Sequence, residues 1–298
     1  MGITFLISQC KPVRREDLRA RFMEKQNQIL TQLQQLGTEE LRRYSPRSEE
    51  LCKFFPLDNG ECETVDGRLS EKERLIKKLC QPRLAFHGTT SSIHGTREAV
   101  VQDISDYGFL LPGDRHPRTC LVHEVVSGAY AGTGIYSTPQ VTCAMRYAGL
   151  TDNSDTSGNI SRSVTIIVCM VLLGRTSDVT NMHRETLQNL SEPVNGADSH
   201  LYMFEDMSTE YAVFDKAQVV PCYVVQLERV ESVQNRRPDI PSFAPFNADA
   251  DYPSSDESDS DDDVFLDDVE FTEVKRDLFS NAGDPMMTDL DFGLLQGL

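Results

Sequence analysis

Residues 164–173 read Val-Thr-Ile-Ile-Val-Cys-Met-Val-Leu-Leu, and Gly174 closes the run. Ten residues, all apolar but Thr165, are too few to cross a membrane, and β-branched side chains are common among them. Near-continuous apolarity, rather than strict alternation, predicts a strand buried on both faces at the centre of a sheet. Shorter segments of the same kind flank it: Leu84-Ala85-Phe86, Tyr211-Ala212-Val213-Phe214 and Val219 to Leu227. Helical periodicity in this part of the chain is confined to about 96–106 and 138–149. Residues 82 to about 230 are therefore predicted to be α+β with a substantial sheet.

Upstream, the pattern is helical. Leu18, Phe22, Ile29, Leu33 and Leu36 recur at spacings of three, four and seven, predicting one amphipathic helix over 13–36 with Gly37 as its stop. Pro46, Pro56, Asn59-Gly60 and Asp66-Gly67 punctuate the segment that follows. Ser70-x-x-Glu73 is a capping box that opens a second helix, with Leu75, Ile76 and Leu79 on its apolar side and Pro82 at its end. Residues 1–81 are read as a helical N-terminal region and 82–231 as the main domain.

Downstream, periodicity is lost. Residues 232–298 contain prolines at 238, 241, 245 and 253 that lead into the run Ser-Ser-Asp-Glu-Ser-Asp-Ser-Asp-Asp-Asp over 254–263. Such a run repels itself and has too little apolar surface to offset its ordering entropy, so a disordered acidic tail is expected. The formal net charge of the whole chain is −18. Residues 231–298 hold 18 acidic and 4 basic side chains, net −14, which leaves −4 for residues 1–230. A net-acidic body argues against direct binding to nucleic acid, because phosphate contacts need clustered Lys and Arg.

No apolar run reaches the length of a membrane span, and Met1 to Leu6 lacks the basic and apolar regions of a signal peptide. Gly2 is followed by Leu6 where a myristoylation signal needs Ser or Thr. The eight cysteines are scattered and point to reduced thiols in a nuclear or cytoplasmic protein, with no membrane partner. No metal is expected: Cys120-x-x-His123 is a single half-pair, short of the ligand set a metal site needs.

Three segments carry candidate chemistry. They are Phe86-His87-Gly88-Thr89-Thr90; Gly132-Thr133-Gly134-Ile135-Tyr136-Ser137, with Tyr147 eleven residues beyond Tyr136; and Ser208-Thr209-Glu210-Tyr211-Ala212-Val213-Phe214-Asp215. Each alone has an ordinary structural explanation: a turn, a tight loop, or a strand with Glu210 facing solvent. Together they suit cleavage of the bond between nicotinamide and ribose in NAD. A carboxylate can stabilise the positive charge that develops on the ribose. Aromatic faces can hold a flat nicotinamide ring. A glycine lets backbone N–H and C=O groups approach its carboxamide, and a histidine can hydrogen-bond a ribose hydroxyl.

The order and spacing of these motifs resemble the catalytic domain of poly(ADP-ribose) polymerases, over roughly residues 82–228. The stretch from Glu210 to Val219, closing at Tyr223, is especially similar to the family's final strands. The resemblance implies an ADP-ribosyltransferase fold with a split, largely antiparallel β core. It implies transfer of ADP-ribose from NAD, as substrate, to protein side chains with release of nicotinamide. His87, Tyr136 and Glu210 would be the catalytic residues. His87 would also bind the adenosine-side ribose, Gly88 the carboxamide and Thr89 a ribose, while Tyr136 and Tyr147 would sandwich the nicotinamide ring. Glu210 would contact the 2′-OH of the nicotinamide ribose. Single transfer and polymer growth both remain open. Acceptors would be proteins, the chain's own 232–298 segment among them.

Two departures stand out. The family often has Ser three residues before the second tyrosine; here that residue is Ala144, a loss worth about 0.5–1.5 kcal/mol unless Thr142 or Ser137 replaces the hydrogen bond. The Gly108-Phe109-Leu110-Leu111 segment lacks the basic residue that some members place near the adenosine half. The competing reading is a catalytically silent protein that binds NAD or ADP-ribose, or that acts on partners through its acidic tail.

Overall fold

The computed structural model describes residues 4–44, 69–93, 95–124, 129–149, 163–206 and 208–230. The predicted acidic tail, 232–298, lies outside them.

The run that opened the sequence reading forms strand β4, Ser163–Val171. It lies inside a four-stranded sheet beside β8, Val219–Val230, and β2, Arg83–Gly88. The fourth strand, β1, Thr4–Pro12, occupies the far edge. The order is β1-β8-β4-β2, and every pair is antiparallel. Continuous apolarity in β4 has a direct cause, because the strand feeds two cores. Val164, Ile166, Val168 and Met170 enter one, and Ile167, Cys169 and Val171 enter the other. In β8 the parity changes midway: Val220 and Cys222, then Tyr223, Val225 and Leu227, all join the first core. A bulge causes the change, because Val168 pairs with Tyr223 and Cys169 with Pro221. Pro221, with no N–H to give the ladder, sits at that irregularity.

The first core is closed by helices. The predicted helix over 13–36 is α1, Glu16–Gln35, and its stripe Leu18, Phe22, Ile29 and Leu33 is buried. A short α2, Thr38–Tyr44, adds Leu41. The second predicted helix is α3, Glu71–Cys80, and its capping box is complete: the Ser70 hydroxyl accepts from Glu73 N–H at 3.3 Å, while Glu73 accepts from Ser70 N–H at 2.7 Å. The buried Gln26 amide donates to the Cys80 carbonyl at 3.0 Å and locks α1 to the end of α3. Contrary to what its periodicity predicts, the region before residue 82 is not helical throughout: the strand β1 extends the main sheet to the N-terminal side of that boundary, paired with β8 from Thr4↔Val230 to Pro12↔Tyr223.

The second core faces α4, Arg97–Tyr107, and a smaller sheet. That sheet runs in the order β3-β7-β6-β5: Ile135–Ser137, Thr209–Val213, Ser199–Met203 and Thr176–Asp178. Only its β5–β6 pair is parallel. The protein is thus α+β, with two mostly antiparallel sheets. A third small core on the outer face of the second sheet includes Ala212 and Leu187 of α6, Arg184–Gln188. The predicted helix over 138–149 shortens to α5, Val141–Tyr147, which packs on β2. Among the described residues, no helix is long and apolar enough to cross a membrane.

Candidate active site

Beyond the core they share, the two sheets meet edge to edge beside the cleft. Phe86 and Thr138 exchange backbone hydrogen bonds of 2.7 and 2.9 Å, joining the edge of β2 to the end of β3. A continued antiparallel ladder would next pair Gly88 with Tyr136. It does not continue, because the His87 ring takes the Tyr136 carbonyl through Nδ1 at 2.7 Å. The strand edges part there and a cleft opens. Strand alternation puts the N–H and C=O of Gly88 on the same side as those of Phe86, towards the opening and away from β4.

Gly88 is also a packing requirement. A Cβ on it would lie 1.8 Å from the Ala144 carbonyl oxygen, so no other residue lets α5 approach β2 this closely. Ala144 itself is fully buried. Its position under the strand explains how a small residue suits that place, and Ser137, rather than Thr142, lines the cavity beside Glu210.

Two adjoining cavities fill the cleft, about 350 Å³ and about 80 Å³ in volume. His87, Gly88, Tyr136 and Tyr147 line both. Thr89 lines only the larger, and Glu210 only the smaller. All six residues singled out in the sequence are therefore brought together.

Glu210 is 3 % exposed, which rules out the solvent-facing strand position. In β7 it lies two residues from Ala212, which pairs directly with Tyr136, so carboxylate and phenol share one face of the second sheet. Burial pushes the Glu210 carboxyl up from its usual range, and Asp206 adds to that shift; a hydrogen bond from the Tyr147 hydroxyl opposes both. Tyr147, at the last turn of α5, is pushed up in turn, first by burial and then by its bond to this carboxylate.

The other two groups are fixed by backbone. The Tyr136 hydroxyl donates to the Gly132 carbonyl at 2.5 Å and accepts from Ala131 N–H at 2.8 Å. Burial raises its pKa, so it stays a neutral ring wall. His87 is half-buried, with its ring edge-on to Phe109 at 5.0 Å. Desolvation pushes its pKa down, against the Tyr136 carbonyl bond. With Nδ1 donating to that carbonyl, the neutral ring keeps Nε2 as an acceptor.

Several contributors gave no local signal in the sequence. Tyr202 stands directly opposite Glu210 across the β6–β7 pair. Its ring packs on Tyr130 at 5.6 Å and Phe204 at 4.8 Å, and Tyr130 lines the smaller cavity. The loop that follows Phe109 is in part a hairpin: Gly113 N–H bonds the His123 carbonyl, His123 N–H the Asp114 carbonyl and His116 N–H the Leu121 carbonyl, each at 2.8 Å. Its anchor is buried Asp103, which accepts from Arg118 at 2.9 and 2.7 Å and faces His116 Nε2 at 3.1 Å. Among the described residues, no cluster of His, Cys, Asp and Glu could hold a metal ion. No protein-family model matches this chain, and no curated protein matches it.

Proposed function

We propose that this protein is an NAD-dependent ADP-ribosyltransferase that moves ADP-ribose from NAD to protein side chains and releases nicotinamide. One observation carries the reading: a buried carboxylate, Glu210, shares a small cavity with Gly88 and the rings of Tyr136 and Tyr147, beside a second cavity large enough to continue a dinucleotide. The split, mostly antiparallel sheets support the ADP-ribosyltransferase fold as part of the same proposal.

In this mechanism nicotinamide enters the smaller cavity, and its carboxamide meets the N–H and C=O of Gly88. The bond between ribose C1′ and the ring nitrogen breaks, and nicotinamide leaves with the bonding electrons as a neutral molecule. Positive charge develops on the ribose, next to the Glu210 carboxylate. A dry site makes that attraction stronger than it would be in water. A hydrogen bond from the Tyr147 hydroxyl favours the charged form of Glu210 against the burial that disfavours it. His87 Nε2 accepts from a ribose hydroxyl. An acceptor side chain then attacks C1′ and loses its proton. Chain growth and the choice of acceptor, including the chain's own acidic tail, belong to the same proposal.

The test is incubation of the full-length protein with NAD labelled in the adenosine half, with free nicotinamide and protein-bound label both measured. Nicotinamide should appear, accompanied by labelled protein. A chain that binds NAD and releases no nicotinamide would be the silent relative instead.

A further inference from the structure

A dinucleotide carries two phosphates, and the walls of this cleft hold little to meet them. Among the described residues lining either cavity, Arg146 is the only lysine or arginine. The acids of the larger cavity are Asp103 and Glu124, and Asp103 is already bound by Arg118. Electrostatics therefore favours an anion at the Arg146 end and disfavours one beside Asp103 and Glu124.

Arg146 is also well placed along the cleft. It precedes Tyr147 on α5 and lines the larger cavity alone, whereas Tyr147 lines both. A dinucleotide whose nicotinamide fills the smaller cavity would carry its pyrophosphate next in order, just past the shared residues. The guanidinium is half-exposed and, among the described residues, makes one ion pair, from Nη1 to Asp206 at 3.0 Å. A fork of five N–H donors has more capacity than that contact uses. Guanidinium groups suit phosphate because two parallel N–H bonds match its oxygens.

We propose that Arg146 anchors the pyrophosphate of the dinucleotide, turning from Asp206 to the phosphates when the ligand binds. The proposal rests on the reading of the cleft as an NAD site and names the charged contact that reading lacks. Asp206 then acts as a competitor that holds the guanidinium ready at the cavity mouth.

Calorimetry on the full-length protein tests it with two probes: ADP-ribose, which carries the pyrophosphate, and benzamide, which carries only the ring and carboxamide. Arg146→Ala should weaken ADP-ribose binding by about 10- to 100-fold, the range for losing a charged hydrogen-bonded contact, and leave benzamide unchanged. Arg146→Lys should recover part of the loss. Asp206→Asn should bind ADP-ribose at least as tightly as the wild type. Added salt should weaken ADP-ribose binding in the wild type more than in Arg146→Ala. Unchanged ADP-ribose affinity in Arg146→Ala would overturn the proposal. So would an equal loss of both probes, which would mean a collapsed cavity rather than a lost phosphate contact. A wild-type protein that binds neither probe would instead overturn the NAD reading itself.

Discussion

The two sheets follow opposite rules. Among the described side chains of the larger, β1-β8-β4-β2, the buried ones are apolar apart from cysteine thiols and the phenol of Tyr223. The smaller buries Ser137, Ser199, His200, Thr209 and Glu210. Buried polar groups cost stability unless each finds a partner, and most of these do. Ser199 Oγ donates to the Leu173 carbonyl at 2.7 Å. His200 bonds the Ala131 carbonyl through Nδ1 at 2.8 Å and accepts Val194 N–H at Nε2 at 2.8 Å. Glu210 differs, because its charge has one phenolic hydroxyl and no cation among the causes that shift it. The larger sheet supplies stability by area. The smaller sheet gives some of it up to hold a carboxylate where water is scarce, as strained or desolvated functional sites do.

The largest losses of stability are expected where helices close the larger sheet. Phe22 is fully buried in α1, against the larger sheet. Phe22→Ala should cost about 3–5 kcal/mol and lower the melting temperature of the whole described body in one transition. Two transitions, with the later one unmoved, would show that residues before 82 fold as a separate module.

A smaller effect of opposite sign is expected in the second sheet. Glu210→Gln keeps an oxygen to accept from Tyr147 and removes a charge that burial disfavours. At pH 7 the variant should be more stable than the wild type by about 0.5–2 kcal/mol, the usual gain from relieving a functional site. The pH dependence follows from the sign of the shift. A carboxyl whose folded pKa is raised binds its proton more tightly when folded, so the cost is present at neutral pH and fades as pH falls towards the ordinary value of 4.5. Melting curves from pH 7 down to pH 4.5 should therefore converge. A constant gap would mean that charge is not the cause.

The smallest effect concerns Tyr147. Tyr147→Phe keeps the ring and removes the hydroxyl that bonds Glu210. Catalysis should fall by roughly 2- to 10-fold, as for one hydrogen bond of about 0.5–1.5 kcal/mol, and benzamide affinity should hold. The rise in activity with pH should shift upwards, because the Glu210 carboxyl loses the one group that lowers its pKa. An unmoved pH profile would break the link between the two residues.

What the sequence made legible follows the same division. The β4 run, the α1 stripe and the Ser70 capping box are local patterns with one strong cause each, burial on two faces, burial on one face and two reciprocal bonds. His87, Gly88, Tyr136, Tyr147 and Glu210 were found through spacing and resemblance, and the fold brings them to one cleft. β1 escaped because its short apolar start, Phe5-Leu6-Ile7, is a strand only by virtue of β8 beside it. β3 is three residues long and is defined by β7 and the Phe86–Thr138 contact. Tyr202 meets Glu210 only through strand register, and Arg146 reaches the cavity only because α5 ends at its mouth. Such pairings depend on parts of the chain far apart in sequence, and no local period encodes them.

On the proposed function, the buried carboxylate of the smaller sheet is the chemical centre. The most direct measurement is the rate of nicotinamide release from NAD by the full-length protein and by Glu210→Gln, at saturating NAD and pH 7. The variant should lose at least about 100-fold in rate. NAD affinity should change little, since the charge answered by Glu210 develops only in the transition state. Release by Glu210→Gln at the wild-type rate would contradict that role.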